Sequence, residues 1–504
     1  MLLEEGIIAR IHRACARQTL SVTRIVEDCL TRIRDHDQQG AGLNAVVAVN
    51  DDQALESARK LDDFHARNRQ LAGPLHGVPV VIKDNFHTVD MPTRGSCVAL
   101  SDQPGALEST ITRKLRQAGA IMLAKTNMHE LALAGTTISS LAGQTRNPYD
   151  LTRTPGGSSG GTGAALAAGY GLVGLGTDTV NSIRSPASAN GLVGLRPTRG
   201  LVSRAGIIPV CESQDTAGPL VHTVADAARV LNVIAGFDPA DPATACAPGR
   251  VPPCYLQAMA GSTLKGARIG VMRSLFGHGP EHEPVNAVME RALEAMRDAG
   301  AHCVDIHDDR VDSPQVIRDL DVQRWEFREL FNAYLQERQD PGIRSLTDLI
   351  NDGRHHPPLG AFLNQANTVE NRWVDTEYLS RLAGMARLRR HLLFLMADHD
   401  VDVVVYPLQK RLVVPLDQPD QADRNGIVAA VTGLPAINVP AGFSEPDNHA
   451  PVGVPVGLDM LGRPFDEVRL LQIAGAFERA LPVRQSPRGL PDIWSLWDDA
   501  APDR

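Results

Sequence analysis

The chain has 504 residues, 43% hydrophobic and 22% charged, with a formal net charge of −9. That balance predicts an ordinary soluble protein with a substantial core; the length exceeds an average domain, though large α/β enzymes often keep one continuous core. No basic stripe points to nucleic acid, no long single-sign block to a disordered tail, and no apolar run of about 18 residues to a membrane span. The start, Met-Leu-Leu-Glu-Glu-Gly, lacks the basic and apolar regions of a signal peptide. Seven cysteines (15, 29, 97, 211, 246, 254 and 303) form no C-x-x-C pair, and this odd, scattered set predicts reduced thiols and a cytoplasmic home.

Residues 1–70 read as helical. Ser21 is placed to cap a helix in which Val22, Ile25, Val26, Cys29, Leu30 and Ile33 share one face. A short apolar run at 43–49 has strand character, and a second helix is expected over 51–69. Residues 77–83 read as a buried strand that delivers Lys83 at its end. A lysine in that place is equally often a solvated edge charge. A helix at 109–118, a strand at 120–124 and a helical pattern from about Asn127 follow.

Beyond the central block, Thr223-Val224-Ala225-Asp226 predicts a capping box and a helix ending near Gly236, followed by a loop over 237–262. Strands are expected at 267–272 and 303–306. Between them Pro284 opens a helix with Val285, Val288, Met289, Ala292, Leu293 and Met296 on one face and Gly300 as its stop. This alternation argues for a mixed or parallel sheet covered by helices. Residues 310–400 are mostly helical and concentrate Trp325, Phe327, Phe331, Tyr334, Trp373 and Tyr378 in a chain only 4% aromatic. These rings either pack a helical insertion or roof a pocket. Further strands are expected at 401–406 and 437–439.

The stretch from Thr154 to Arg184 holds the chemistry. Glycines flank Ser158 and Ser159 so densely that the backbone must turn tightly or approach another group. Further on, Gly176-Thr177-Asp178-Thr179 reads as a turn leading to Ser182. Successive N–H groups of Thr179, Val180, Asn181 and Ser182 on such a turn can surround an anion, and a serine beside that hole has the geometry acyl transfer needs. Rival motifs fail on their context. Gly156-x-Ser158-x-Gly160 matches a hydrolase elbow, but the polar, proline-containing residues 147–156 give it no entering strand. Gly156-x4-Gly161 lacks the lysine of a phosphate loop, having Thr162 there. His278-Gly-Pro-Glu-His282 places Gly279 and Pro280 where a zinc-binding helix would run, so a turn with two solvated histidines is expected. His355 and His356 read as loop residues.

GGSSGG, the segment Gly176 to Ala187 and Val80 to Asn85 together resemble the amidase signature family, over nearly the whole chain. The resemblance implies a single amidase domain over 1–504: an α/β/α sandwich whose large twisted mixed sheet is covered by helices, with an N-terminal helical region at 1–70 and an insertion at 310–400 near the pocket. It implies that Ser182 is the nucleophile, Ser158 the serine in a cis peptide, and Lys83 the base. Asp178 and Arg184, like Asp215, would brace the turn. The chain departs from the family at Val180 and Asn181, where two glycines are usual. No metal or organic cofactor is implied. The expected activity is cleavage of a non-peptide carboxamide, anilide or carbamate; the alternative is the catalytic subunit of a tRNA-dependent amidotransferase. The expected partners are a small amide-type substrate and a second copy in a homodimer, with no direct contact to nucleic acid and no membrane.

Overall fold

The computed structural model describes residues 2–104, 107–339, 342–490 and 492. Thirteen strands occur among them. The first half of the chain contributes β1 Val46–Val49, β2 Pro79–Lys83, β3 Ile121–Thr126, β4 Ile138–Ser139, β5 Gly143–Gln144, β6 Val173–Asp178, β7 Val193–Arg196 and β8 Thr216–Val221. The second contributes β9 Arg268–Met272, β10 His302–Ile306, β11 Val403–Pro407, β12 Ala436–Phe443 and β13 Pro455–Leu461. β4 and β5 pair alone, and the other eleven form one mixed sheet in the order β1-β3-β2-β6-β8-β7-β12-β13-β11-β9-β10. Its two wings hold parallel pairs (β3-β2-β6 and β11-β9-β10), and the centre is antiparallel.

Alternation along the strands sends neighbours to opposite faces. Val403 and Val405 join one apolar cluster, with the helices Val22–His36, Val224–Ile234, Glu283–Asp298 and Glu467–Ala480. Val404 and Tyr406 join a second, with most of the 310–400 insertion. Helices therefore cover both faces, as expected of an α/β sandwich. No helix among the described residues is long and apolar enough to cross a membrane.

Where local chemistry is strong, the expected elements form. Ser21 accepts from the Arg24 amide and caps the helix from Val22, whose expected apolar face is buried. Thr223 accepts from the Asp226 amide in the same way. The Asp226 carboxylate accepts from the Thr223 hydroxyl at 2.8 Å and from the amides of Ile7 and Ile8, just past a break at Gly6 in the first helix.

Three expectations need correction. No helix starts at Asn127: Leu131 and Ala132 have positive φ, and only a short 3₁₀ turn, Glu130–Ala132, forms. The backbone is used there to hold the serine loop, His129 N–H donating to the Ser158 carbonyl at 3.0 Å. Asp178 ends β6, so Gly176-Thr177-Asp178 is strand and the turn begins only at Thr179. His278 is exposed, but His282 is buried, bonded to the Gly279 amide and 3.2 Å from Asp423.

In the insertion, Trp325, Phe327, Phe331, Tyr334 and Tyr378 are buried in the second cluster, whereas Trp373 is 55% exposed. Packing therefore accounts for most of the rings. Two contacts tie residues 310–400 to the first part of the chain: Tyr334 OH lies 2.9 Å from His87 Nε2, and the His356 amide donates to Glu130.

Candidate active site

β2 and β6 are parallel neighbours, so their carboxyl ends deliver Lys83 and Thr177-Asp178 to the same place. β2 is an apolar run with all five residues buried, and Lys83 is fully enclosed at its end. This excludes the solvated-edge reading. Lys83 Nζ lies 2.7 Å from Ser158 Oγ and 2.7 Å from Thr177 Oγ1. Burial pushes the lysine pKa down to about 7, against the upward pull of Asp178 and Asp215. Near neutral pH a large fraction of this amine is thus uncharged and able to accept a proton.

Ser158 follows a cis peptide bond from Gly157. The flanking glycines are required by close approach. A Cβ on Gly161 would lie 2.2 Å from the Asn127 carbonyl oxygen, and one on Gly156, which has φ of 72°, would lie 2.9 Å from that of Ser185. The Ser159 amide donates to the Ser182 carbonyl at 3.3 Å, tying the two serine segments together. The hydroxyls of Ser158 and Ser182 are not hydrogen-bonded to each other. Catalytic contacts commonly tighten only once substrate binds.

The loop from Thr179 to Ile183 is held by its carbonyls. Arg196 donates to the carbonyl of Asp178, Gln214 Nε2 to that of Thr179 at 3.2 Å, and Arg184 Nη2 to that of Val180 at 2.9 Å. A planar trans peptide points each following N–H the opposite way, so these bonds orient the amides of Thr179, Val180 and Asn181. Among the described residues the amides of Val180, Asn181 and Ser182 have no acceptor. Such a set of oriented, unoccupied donors can receive an oxyanion.

Asp178 and Arg184 form the floor beneath this loop. Asp178 accepts from the Ile183 amide, from Arg184 and from Arg196 at 2.8 Å. Its burial would raise its pKa, but the two guanidiniums outweigh that and hold it at about 2. Arg184 also reaches Asp459 on β13 at 2.6 Å and the Gly426 carbonyl at 2.8 Å. Asp215 accepts from Thr179 Oγ1 at 2.6 Å and from the amides of Val210 and Cys211. Thr177, Arg196, Gln214 and Asp459 were not read from the sequence; the fold alone makes them neighbours of the site. Breaking a fully buried ion pair leaves a charge exposed to low dielectric, so Asp459→Ala is expected to cost about 3 kcal/mol of unfolding free energy. Denaturant unfolding measures this directly, and a loss near zero would show that Asp178 alone satisfies Arg184.

Val180 and Asn181 are accommodated without positive φ. Asn181 is buried, its Nδ2 has no partner, and Gly426 makes room for it: a Cβ there would lie 2.4 Å from the Asn181 Cβ.

A family model described as Amidase matches residues 24–471. A glutamyl-tRNA(Gln) amidotransferase subunit from Moorella thermoacetica is 36% identical over 455 residues, which cover 87% of this chain and 89% of the relative. Among solved structures, the peptide amidase of Stenotrophomonas maltophilia superposes with a TM-score of 0.86 at 34% identity, covering 95% of this chain and 98% of that one. The corresponding glutamyl-tRNA(Gln) amidotransferase subunit from Thermotoga maritima superposes with a TM-score of 0.71 at 25% identity, over 95% and 96% of the two chains.

These relatives correct the expectation of a small amide substrate, a homodimer and no nucleic acid: proteins similar along nearly this whole chain are named as subunits of an amidotransferase for glutamyl-tRNA(Gln). From the family match along residues 24–471 and the shared mixed-sheet fold it follows that this chain belongs to the amidase signature family and is an enzyme that acts on amide C–N bonds.

Proposed function

We propose that this chain is the amide-cleaving subunit of a tRNA-dependent amidotransferase, freeing ammonia from a carboxamide through an acyl-enzyme on Ser182. The contact between Lys83 and Ser158 at 2.7 Å, beneath the Ser182 loop, carries the chemical part of this reading. Ser182 Oγ attacks the carbonyl carbon while its proton passes to Ser158 Oγ, whose own proton moves to the neutral amine of Lys83. The amides of Thr179, Val180, Asn181 and Ser182 receive the carbonyl oxygen as it becomes an oxyanion; each such donor is typically worth about 3 kcal/mol of barrier. Collapse breaks the C–N bond, and the leaving nitrogen takes a proton back through Ser158. Water then repeats the sequence on the ester, releasing the acid and restoring Ser182. The whole chain acts as one catalytic unit, and its free cysteines fit a reducing, cytoplasmic setting.

The subunit role rests on the curated relatives. A second reading is hydrolysis of an amide bond in peptide substrates, favoured by the nearer structural likeness to the peptide amidase, 0.86 against 0.71 in TM-score. Affinity purification of the tagged chain from its native host separates them. Stoichiometric co-purification of other subunits, with glutamine as the preferred amide, supports the assembly; an isolated chain that turns over amidated peptides in preference to glutamine supports the second reading.

Val180 and Asn181 are proposed to tune substrate choice beside the scissile bond. Val180→Gly/Asn181→Gly is expected to shift the kcat/KM ratio between amides by about tenfold, the scale of one pocket contact. A uniform loss across all amides would show instead that these side chains hold the geometry of the oxyanion hole.

A further inference from the structure

The segment 210–216 buttresses the Ser182 loop at its first residue. Asp215 accepts from Thr179 Oγ1 at 2.6 Å, and Gln214 Nε2 donates to the Thr179 carbonyl at 3.2 Å. This segment is held in turn by the helix Gln323–Arg338 of the insertion. The Val322 amide, at the start of that helix, donates to Gln214 Oε1 at 3.1 Å. One turn on, and so on the same side of the helix, stands Glu326, whose carboxylate is fully buried. Its Oε1 accepts from Ser213 Oγ and from Tyr378 Oη, the latter at 2.9 Å. Its Oε2 accepts from the Ser213 amide at 2.9 Å and from Cys211 Sγ at 3.1 Å.

Every one of these four partners donates. Burial and the adjacent Glu326 carboxylate push the Cys211 thiol well above its ordinary pKa, so it keeps its proton. A carboxylate offers about four lone-pair positions, and the four donors meet them. Arg372 Nη1, 3.9 Å from Oε2, supplies opposite charge. A carboxylate withdrawn from water is costly unless matched in this way, and an apolar side chain would fill the same space without that requirement. What the carboxylate adds is direction. Three of its four bonds go to Cys211 and Ser213, and the next residue, Gln214, grips Thr179.

We propose that Glu326 is a positioning residue for amide cleavage: through Ser213 and Gln214 it sets the direction of the Thr179 carbonyl, and so of the Val180 amide across the same peptide plane. The proposal rests on the reading of the Thr179–Ser182 amides as the oxyanion hole. Such a hole acts on charge that develops in the transition state, so loosening it lowers kcat and leaves KM almost unchanged.

The test compares kcat and KM for whichever carboxamide the enzyme turns over, glutamine or an amidated peptide, with those for the thioamide of the same compound. Sulfur accepts hydrogen bonds weakly, so the thioamide draws less from the hole, and the wild-type enzyme is expected to favour the carboxamide strongly. Glu326→Gln turns an NH2 group toward donors. It should lower kcat for the carboxamide by about 10- to 100-fold, with KM held within about twofold and the thioamide rate nearly constant. Glu326→Asp, which keeps the charge, should regain part of the loss. Ser213→Ala removes the hydroxyl bond alone and should shift the carboxamide-to-thioamide ratio in the same direction by a smaller factor; it decides the matter if Glu326→Gln does not fold. An unchanged ratio in the folded variants overturns the proposal, as does an equal loss on both substrates, which a merely structural role would produce. A wild-type ratio near one overturns the oxyanion-hole reading itself and the proposal with it.

Discussion

Ser182→Ala is expected to lower amide turnover to background, a loss of about 10⁴–10⁶-fold of the kind seen when a nucleophile is removed from a relay. The physical reason is the absence of a substitute. Ser158 has no exposed surface and is held against Lys83, so its hydroxyl cannot approach a carbonyl carbon without leaving the base. The substitution removes one oxygen and leaves intact the main-chain bond from the Ser159 amide to the Ser182 carbonyl. The variant should therefore melt with the wild type, and ammonia release from a carboxamide is the assay. Retention of more than about one part in a hundred of the wild-type rate would mean that the C–N bond is broken without this hydroxyl.

Lys83→Met should cost about 10²–10⁴-fold in kcat, the usual range for a positioned acid–base group. Methionine keeps most of the side-chain volume inside a fully buried site, so the loss reports the amine and not a cavity. The pH dependence carries the sign. With the lysine pKa lowered to about 7, the ammonium predominates below that pH and cannot accept a proton, while the amine predominates above it. Wild-type kcat/KM should rise with pH through this region and then level off. In Lys83→Met the residual rate should lose the inflection. A wild-type profile that falls across the same interval, or an inflection unchanged in the variant, would remove Lys83 from the base role.

The proposed catalytic trio was legible because each member sits in a locally distinctive setting: Lys83 after an apolar run, Ser158 among glycines, Ser182 beyond a loop of amides. Capped helices were equally plain, since Ser21 and Thr223 make their cap bonds within their own segments. The middle of the sheet was not. β6, β7 and β8 read VGLGTD, VGLR and TAGPLV, without the β-branched alternation that marks a strand. Their glycines answer to neighbours distant in sequence: a Cβ at Gly218 would lie 2.2 Å from the Leu195 carbonyl oxygen, and one at Gly174 would lie 2.4 Å from Thr162 Cγ2. Asn127 to Ala132 carried a helical pattern, but tertiary demand for amide donors at the Ser158 loop prevailed over it. Asp459 lies 275 residues beyond Arg184 and becomes its partner only through β13. The pairing of Arg196 and Gln214 with the loop carbonyls is equally invisible before folding.

The division of labour between the two serines is tested most directly by mass spectrometry of the protein after reaction with a fluorophosphonate probe. The adduct is predicted on Ser182, absent from Ser182→Ala and slowed in Lys83→Met. An adduct on Ser158, with Ser182 unmodified, would contradict the assignment and make the glycine-flanked serine the nucleophile.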